Sequence, residues 1–214
     1  EIFYWTGDTD KVPAGFNDDN ALWVEIWNNV FMQFNKNSDG RLAPLAQQNV
    51  DTGMGMERTL AALNGFDDNY RTELFWPLIE KIEELSGKKY DGSEDIKRAM
   101  RIIADHIKAA TMILGDKKGL TPSNVGQGYI LRRLIRRAVR YGKQLDISEF
   151  FTFKVAEIVI QIYREIYPEL WRGKEFIINQ LMKEEEKFNE TLEKGLKEFK
   201  KGTDAFILFS TYGF

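Results

Sequence analysis

The change of period at residue 56 constrains this chain more than any other feature. Upstream of it, apolar residues come in short extended runs; downstream they recur at helical spacing. Residues 1–5 open as an apolar strand, and residues 6–21, with Gly7, Pro13, Gly15 and clustered Asp and Asn, read as a loop. Residues 22–34 are rich in Val, Ile, Trp and Phe and predict a strand. Alternation puts Trp23, Glu25, Trp27 and Asn29 on one face and Val24, Ile26, Asn28 and Val30 on the other. Asn37-Ser38-Asp39-Gly40 is a turn signal. Residues 41–44 then return as a short strand or loop, and residues 49–55 form another extended segment.

Breakers divide the helical remainder. Helices are expected over 56–64, stopped at Gly65, and over 69–86, ended at Gly87. A third begins at Ser93 and stops at Gly115, with Ile96, Met100, Ile103, Ile107, Ala110 and Ile113 on one stripe. Thr121-Pro122-Ser123-Asn124 is a loop leading through Gly126 and Gly128 into a basic helix, and two more helices cover about 147–167 and 173–201. The fold class is α+β, with a boundary near residues 64–69. Both termini are apolar and aromatic, where native ends are usually polar, so the chain reads as a piece of a longer protein.

Composition removes several chemistries. The 214 residues contain no cysteine, which excludes disulfides, thiolate metal sites and cysteine nucleophiles. The single histidine, His106, sits in an apolar-periodic helix and reads as a partly buried structural residue. Net charge is −3, so no global positive field marks a nucleic-acid binder. No apolar run reaches the ~18 residues of a membrane span, and no signal peptide opens the chain. A soluble, intracellular protein is expected.

Two constellations carry chemistry. In Val50-Asp51-Thr52-Gly53-Met54-Gly55-Met56-Glu57-Arg58, alternating glycines clear one strand face for a ligand. The helix that follows aims its first amides at the same surface, where phosphate is favoured, and Arg58 can fork onto phosphate oxygens. Asp51 can hold an ammonium. The alternative is a tight sheet-to-helix joint with a solvent-facing arginine. The second constellation is the basic helix: Arg132, Arg136 and Arg140 recur at i, i+4, i+8 with Arg133 and Arg137 beside them, and Leu131, Leu134, Ile135 and Ala138 opposite. Either this is a phosphate-facing stripe, or a solvated face whose arginines pair with Glu184-Glu185-Glu186. The aromatic residues of 150–153 and Trp171 read as core, and the charged helix 183–201 as a solvated face.

Strand, Gly-x-Gly, Glu-Arg and helix together resemble motif 3 of the class II aminoacyl-tRNA synthetases. Glu25-Ile26-Trp27-Asn28-Asn29-Val30-Phe31-Met32-Gln33-Phe34 and the Val50–Arg58 string resemble the alanyl-tRNA synthetase family in particular. So do Ile103-Ala104-Asp105-His106-Ile107, Pro122-Ser123-Asn124, the run Gly128–Arg140 and Thr211-Tyr212-Gly213-Phe214. The resemblance implies the C-terminal portion of a class II antiparallel sheet (residues 1–66, a partial aminoacylation domain) followed by a helical tRNA-recognition domain (67–214). It implies alanine binding by Asn28, Asp51, Val30 and Gly53. It also implies ATP binding by Ile26, Trp27, Asn28, Gly55 and Arg58, with Arg58 the catalytic group on the terminal phosphates. Mg²⁺ is expected to travel with ATP, without a protein metal cage.

By the same resemblance, Arg132, Arg133, Arg136, Arg137 and Arg140 face the acceptor stem of tRNA-Ala, and Asn124 reads a G·U wobble pair. Ser210 stands where many relatives carry an aspartate, so Asn124 is expected to be the chief reader. The family is cytoplasmic, and its editing domain has no counterpart here. Nothing matches the motif that precedes motif 3 and supplies an arginine for the α-phosphate, so the isolated chain is expected to be incompetent for alanine activation. The competing readings are a non-catalytic acceptor-stem binding module and a helical interaction protein with no ligand.

Overall fold

A computed structural model of the chain describes residues 1–16 and 20–207; Ser210 and the string at 211–214 lie outside the described residues. Two compact units divide the chain, Glu1–Phe75 and Trp76–Phe214.

The first unit is built on an antiparallel sheet of β1 (Ile2–Trp5), β2 (Trp23–Lys36) and β3 (Leu42–Met54), in the order β1-β2-β3. The β2–β3 turn closes where Gly40 takes φ +85° and its N–H donates to the Asn37 carbonyl at 2.9 Å. Where the sequence reads two short extended pieces, β3 is one strand. It continues because an irregularity absorbs its mismatch: between Met32 and Phe34 of β2 stands Gln33 alone, whereas between their partners Asn49 and Pro44 stand Leu45 to Gln48. Pro44, which has no N–H for a ladder, falls at this break. Helix α1 (Met56–Leu63) follows directly, and Gly65, at φ +69°, ends it as expected.

The strict alternation expected along β2 also fails, at Ile26. Ile2 pairs with Trp27 and Phe3 with Glu25, so Ile26 is an extra residue opposite the Ile2–Phe3 step. Such a bulge interrupts the period of two. Its consequence is visible in Asn28, whose Nδ2 donates to Glu25 Oε1 at 2.9 Å, although alternation would separate the two.

In the second unit, the helix expected over 69–86 begins only at Trp76, as α2 (Trp76–Ser86). Residues 69–71 form a separate 3-10 turn in the first unit, capped by Asp68. Pro77 explains the break, because proline tolerates only the first turn of a helix. Helix α3 (Glu94–Gly115) matches the reading, with the Ser93 hydroxyl accepting from the Ile96 N–H at 3.2 Å. The basic helix is α4 (Gly126–Gln144). The next two predicted helices are three: α5 (Thr152–Tyr163), α6 (Pro168–Arg172) and α7 (Lys174–Lys200), with the short α8 (Ala205–Ile207) after them. Asp146, at φ 63°, turns the chain out of α4, and Pro168 starts α6. No helix among the described residues is long and apolar enough to cross a membrane.

The core of this unit centres on α3, which touches α2, α4, α5, α6 and α7. Met100, Ile103, Ala104, Ile107 and Ala110 are fully buried there, as are Ile82 of α2, Leu131 and Ile135 of α4, Val155 and Val159 of α5, and Leu181 of α7. Of the aromatics assigned to the core, Phe151 is buried, but Phe150 and Trp171 are exposed. His106 is partly buried, with Nδ1 3.1 Å from Asp105 Oδ2.

The charged helix is not wholly a solvated face either. Glu185 of α7 is buried because it caps another helix: its carboxylate accepts from the backbone N–H of Phe151 (3.3 Å) and Thr152 (3.1 Å) and from Thr152 Oγ1 (2.6 Å). These donors open α5, which has no cap of its own. Glu185→Ala is therefore expected to cost about 2–3 kcal/mol, read by chemical denaturation, since it strands buried donors. Burial pushes the Glu185 carboxyl up from the usual carboxylate range, against the pull of Thr152, Phe151 and Lys143. A raised acid favours the fold below the ordinary carboxylate pKa and loses that advantage as pH rises through its own. The stability of the wild type relative to Glu185→Gln should accordingly fall from pH 4 toward pH 8.

Candidate functional site

Register places the first set of residues. Asn28 pairs with Gly53 and Val30 with Asp51, and directly opposed residues share a sheet face. Asn28, Val30, Asp51 and Gly53 therefore lie on one face of the β2–β3 hairpin. A Cβ built on Gly53 meets nothing within 4 Å, so that face is open there. Asn28 is oriented by Glu25, and Asp51 Oδ1 accepts from the Thr52 N–H at 3.0 Å, leaving the exposed carboxylate available to a cation.

Trp27 is not brought to that face. Its indole Nε1 donates to Thr52 Oγ1, which donates to Asn29 Oδ1 at 2.9 Å, so these three occupy the opposite side. Ile26 sits at the bulge, and its carbonyl accepts from the Gly55 N–H at 2.9 Å. Arg58 folds back over Gly55, and Nη1 donates to the Glu25 carbonyl at 3.0 Å. A Cβ on Gly55 would lie 3.4 Å from the Arg58 side chain. The guanidinium is thus tethered beside the bulge on an exposed side chain. Gly55 provides no side-chain cap for α1. Among the described residues, no three His, Cys, Asp or Glu side chains converge as a metal cage.

The second set divides in two. Arg132 and Arg136 are partly buried against α7. Arg136 Nε donates to Glu184 Oε1 at 2.6 Å and its guanidinium lies 5.1 Å from the Phe188 ring centre; Arg132 Nε is 3.7 Å from the same carboxylate oxygen. Arg132 Nη1 also donates to Asn124 Oδ1. Pairing with the acidic stretch therefore holds for these two arginines, through Glu184 alone. Arg133, Arg137 and Arg140 are exposed, and each lies near a tyrosine: Arg133 is 5.8 Å from Tyr129, and Arg137 and Arg140 are 6.0 and 5.4 Å from Tyr141.

Asn124 borders a cleft of about 350 Å³ with Pro122, Ser123, Arg132, Glu184 and Lys187. The loop reaches this position by resting on the first turn of α4, where the Ser123 N–H donates to the Gly128 carbonyl at 3.0 Å. Sequence reasoning passed over Lys187, since one lysine in a long charged helix carries no signal until α7 is packed beside the loop.

The whole chain, residues 1–214, matches the model of the family described as tRNA synthetases class II (A). It belongs to that family. Among similar proteins is an alanine–tRNA ligase of Borreliella afzelii, 48% identical over 97% of this chain and 37% of that protein. Another, of Treponema pallidum, is 48% identical over all of this chain and 38% of the relative. The alanine–tRNA ligase of Pediococcus pentosaceus is 42% identical over all of this chain and 26% of its own length. The chain is thus a segment homologous to alanine–tRNA ligase, spanning roughly a quarter to two fifths of these class II relatives.

Proposed function

We propose that the chain is the part of an alanine–tRNA ligase that holds alanine and ATP on the β2–β3 face and the tRNA-Ala acceptor stem on the α4 side. The observation carrying this is the register that gathers Asn28, Val30, Asp51 and Gly53 onto one open face. Asp51 takes the substrate ammonium, Asn28 orients the substrate from the neighbouring strand, and Val30 and Gly53 wall a pocket for a methyl group. Such a pocket rejects slightly larger substrates only weakly. Arg58 neutralises the terminal phosphates of ATP, with Ile26 and Gly55 at the nucleotide; Mg²⁺ bound together with ATP would supply further charge neutralisation. Trp27 borders the nucleotide from the opposite face of the strand, where it is held through Thr52.

In the reaction, an alanine carboxylate oxygen attacks the α-phosphorus, the bond to the β-phosphate breaks and pyrophosphate leaves. The terminal hydroxyl of tRNA then attacks the adenylate carbonyl and AMP leaves. The residues present position groups and neutralise charge; none forms a covalent intermediate. The isolated 214 residues contain no match to the preceding class II motif, so they are expected to show no alanine-dependent ATP–pyrophosphate exchange. Robust exchange would contradict this division of labour.

On the tRNA side, Asn124 reads the G·U wobble pair, and Arg133, Arg137 and Arg140 contact phosphates. A folded Asn124→Ala variant should lose most of the preference for a G·U over an A·U acceptor-stem minihelix, and Ser210→Ala much less. Equal losses in the two variants would refute Asn124 as chief reader.

A further inference from the structure

We propose that Glu184 is a positioning residue for Asn124, acting through Arg132 and Arg136, and that it makes Asn124 a hydrogen-bond donor toward RNA. The inference rests on the reading that Asn124 meets the acceptor stem. Glu184 lies in the middle of a helix whose charged residues, Glu185 apart, are mostly solvated, yet its side chain is only 7% exposed. Its carboxylate faces Arg136 and Arg132, which are one turn apart on α4. Phe188, one turn further along α7, packs the other side of Arg136. A buried carboxylate shared by two guanidiniums fixes both more firmly than exposed pairing does, since breaking it leaves uncompensated buried charge.

The consequence for Asn124 follows from the chemistry of the donor. Arginine carries no acceptor, so the Asn124 atom against Arg132 must be the carbonyl Oδ1. With Oδ1 occupied, the exposed face of the carboxamide offers its two Nδ2 protons. The side chain then favours an acceptor on a base edge, a carbonyl oxygen or a ring nitrogen, over an exocyclic amine, which is left only the second lone pair of Oδ1. Without Glu184, Arg132 is free to swing to phosphate, the carboxamide rotates, and donor and acceptor faces become equivalent.

The two roles a glutamate could have here differ in sign. Glu184→Gln removes a negative charge from a basic surface, so binding to an A·U minihelix should be unchanged or up to about threefold tighter as phosphate attraction rises. Positioning predicts that the G·U to A·U affinity ratio nonetheless falls at least fivefold. A purely structural role would instead lower stability and weaken both minihelices together, with the ratio intact. Glu184→Asp keeps the charge and withdraws the carboxylate by one methylene, so it should also lose the ratio, without the gain in A·U affinity. It serves if Glu184→Gln fails to fold. The side-chain Nδ2 and amide-proton shifts of Asn124, followed by NMR without RNA, should move in both variants toward those of a solvent-exposed asparagine as the Oδ1 hydrogen bond is lost. A folded variant that keeps the wild-type ratio and the wild-type Asn124 side-chain shifts overturns the role of Glu184 alone. A wild type that binds both minihelices equally overturns the reading of Asn124 and this inference together.

Discussion

Gly128→Ala is expected to destabilise the helical unit by about 1–3 kcal/mol and to abolish discrimination between G·U and A·U acceptor stems. Replacing a helical glycine by alanine ordinarily stabilises, by up to about 1 kcal/mol in a helix interior. Here a Cβ would lie 2.5 Å from the Thr121 carbonyl oxygen and 2.4 Å from Ser123 Oγ. The serine can rotate, but the Thr121 oxygen is backbone, so the loop itself must move. Overpacking of this kind costs more than the helix gains. The displaced loop carries Asn124, and the Ser123 N–H bond to the Gly128 carbonyl is its anchor. Gly142→Ala is the matching control: its Cβ would meet the Phe151 ring at 2.4 Å, in the core away from that loop. It should cost similar stability and leave discrimination intact. Chemical denaturation with paired minihelix titrations separates the two, and a Gly128→Ala variant that still discriminates would show that the loop anchor does not set recognition.

Replacing Arg133, Arg137 and Arg140 together by glutamine should weaken minihelix binding by about ten- to a hundredfold near 100 mM salt. The slope of log affinity against log salt should flatten by about 2–3, since each phosphate neutralised contributes a little under one unit. The loss should be the same for G·U and A·U stems, because phosphate contacts orient RNA without reading it. These three arginines were selected by exposure. Arg132 and Arg136 are committed to Glu184 and should matter chiefly for discrimination. An unchanged salt slope in the triple variant would assign the exposed arginines to solvent.

How far the molecule was legible beforehand depends on whether local residues decide the outcome. The Asn37–Gly40 turn, the Ser93 cap and the glycine after α1 are short-range devices, and each was readable. The motif residues Asn28, Asp51, Gly53 and Arg58 were readable as a string, and register gathers the first three on one face. The bulge at Ile26 was not, because it is created by pairing with β1, more than twenty residues away. Nor could Glu184, Glu185 and Glu186 be told apart. Three identical residues step around a helix by about 100° each, and only the packed neighbours give one two arginines, the next a helix start, and the third to solvent. The same limit misplaced Trp171, whose bulk argues for burial while its position on the short α6 leaves it exposed.

The most direct test titrates the wild-type chain with G·U and A·U acceptor-stem minihelices across a salt series. Affinity should fall steeply with salt for both stems, and a G·U preference should persist at every salt concentration. Affinity without salt dependence, or equal affinity for the two stems throughout, would contradict acceptor-stem recognition by Asn124 and the exposed arginines.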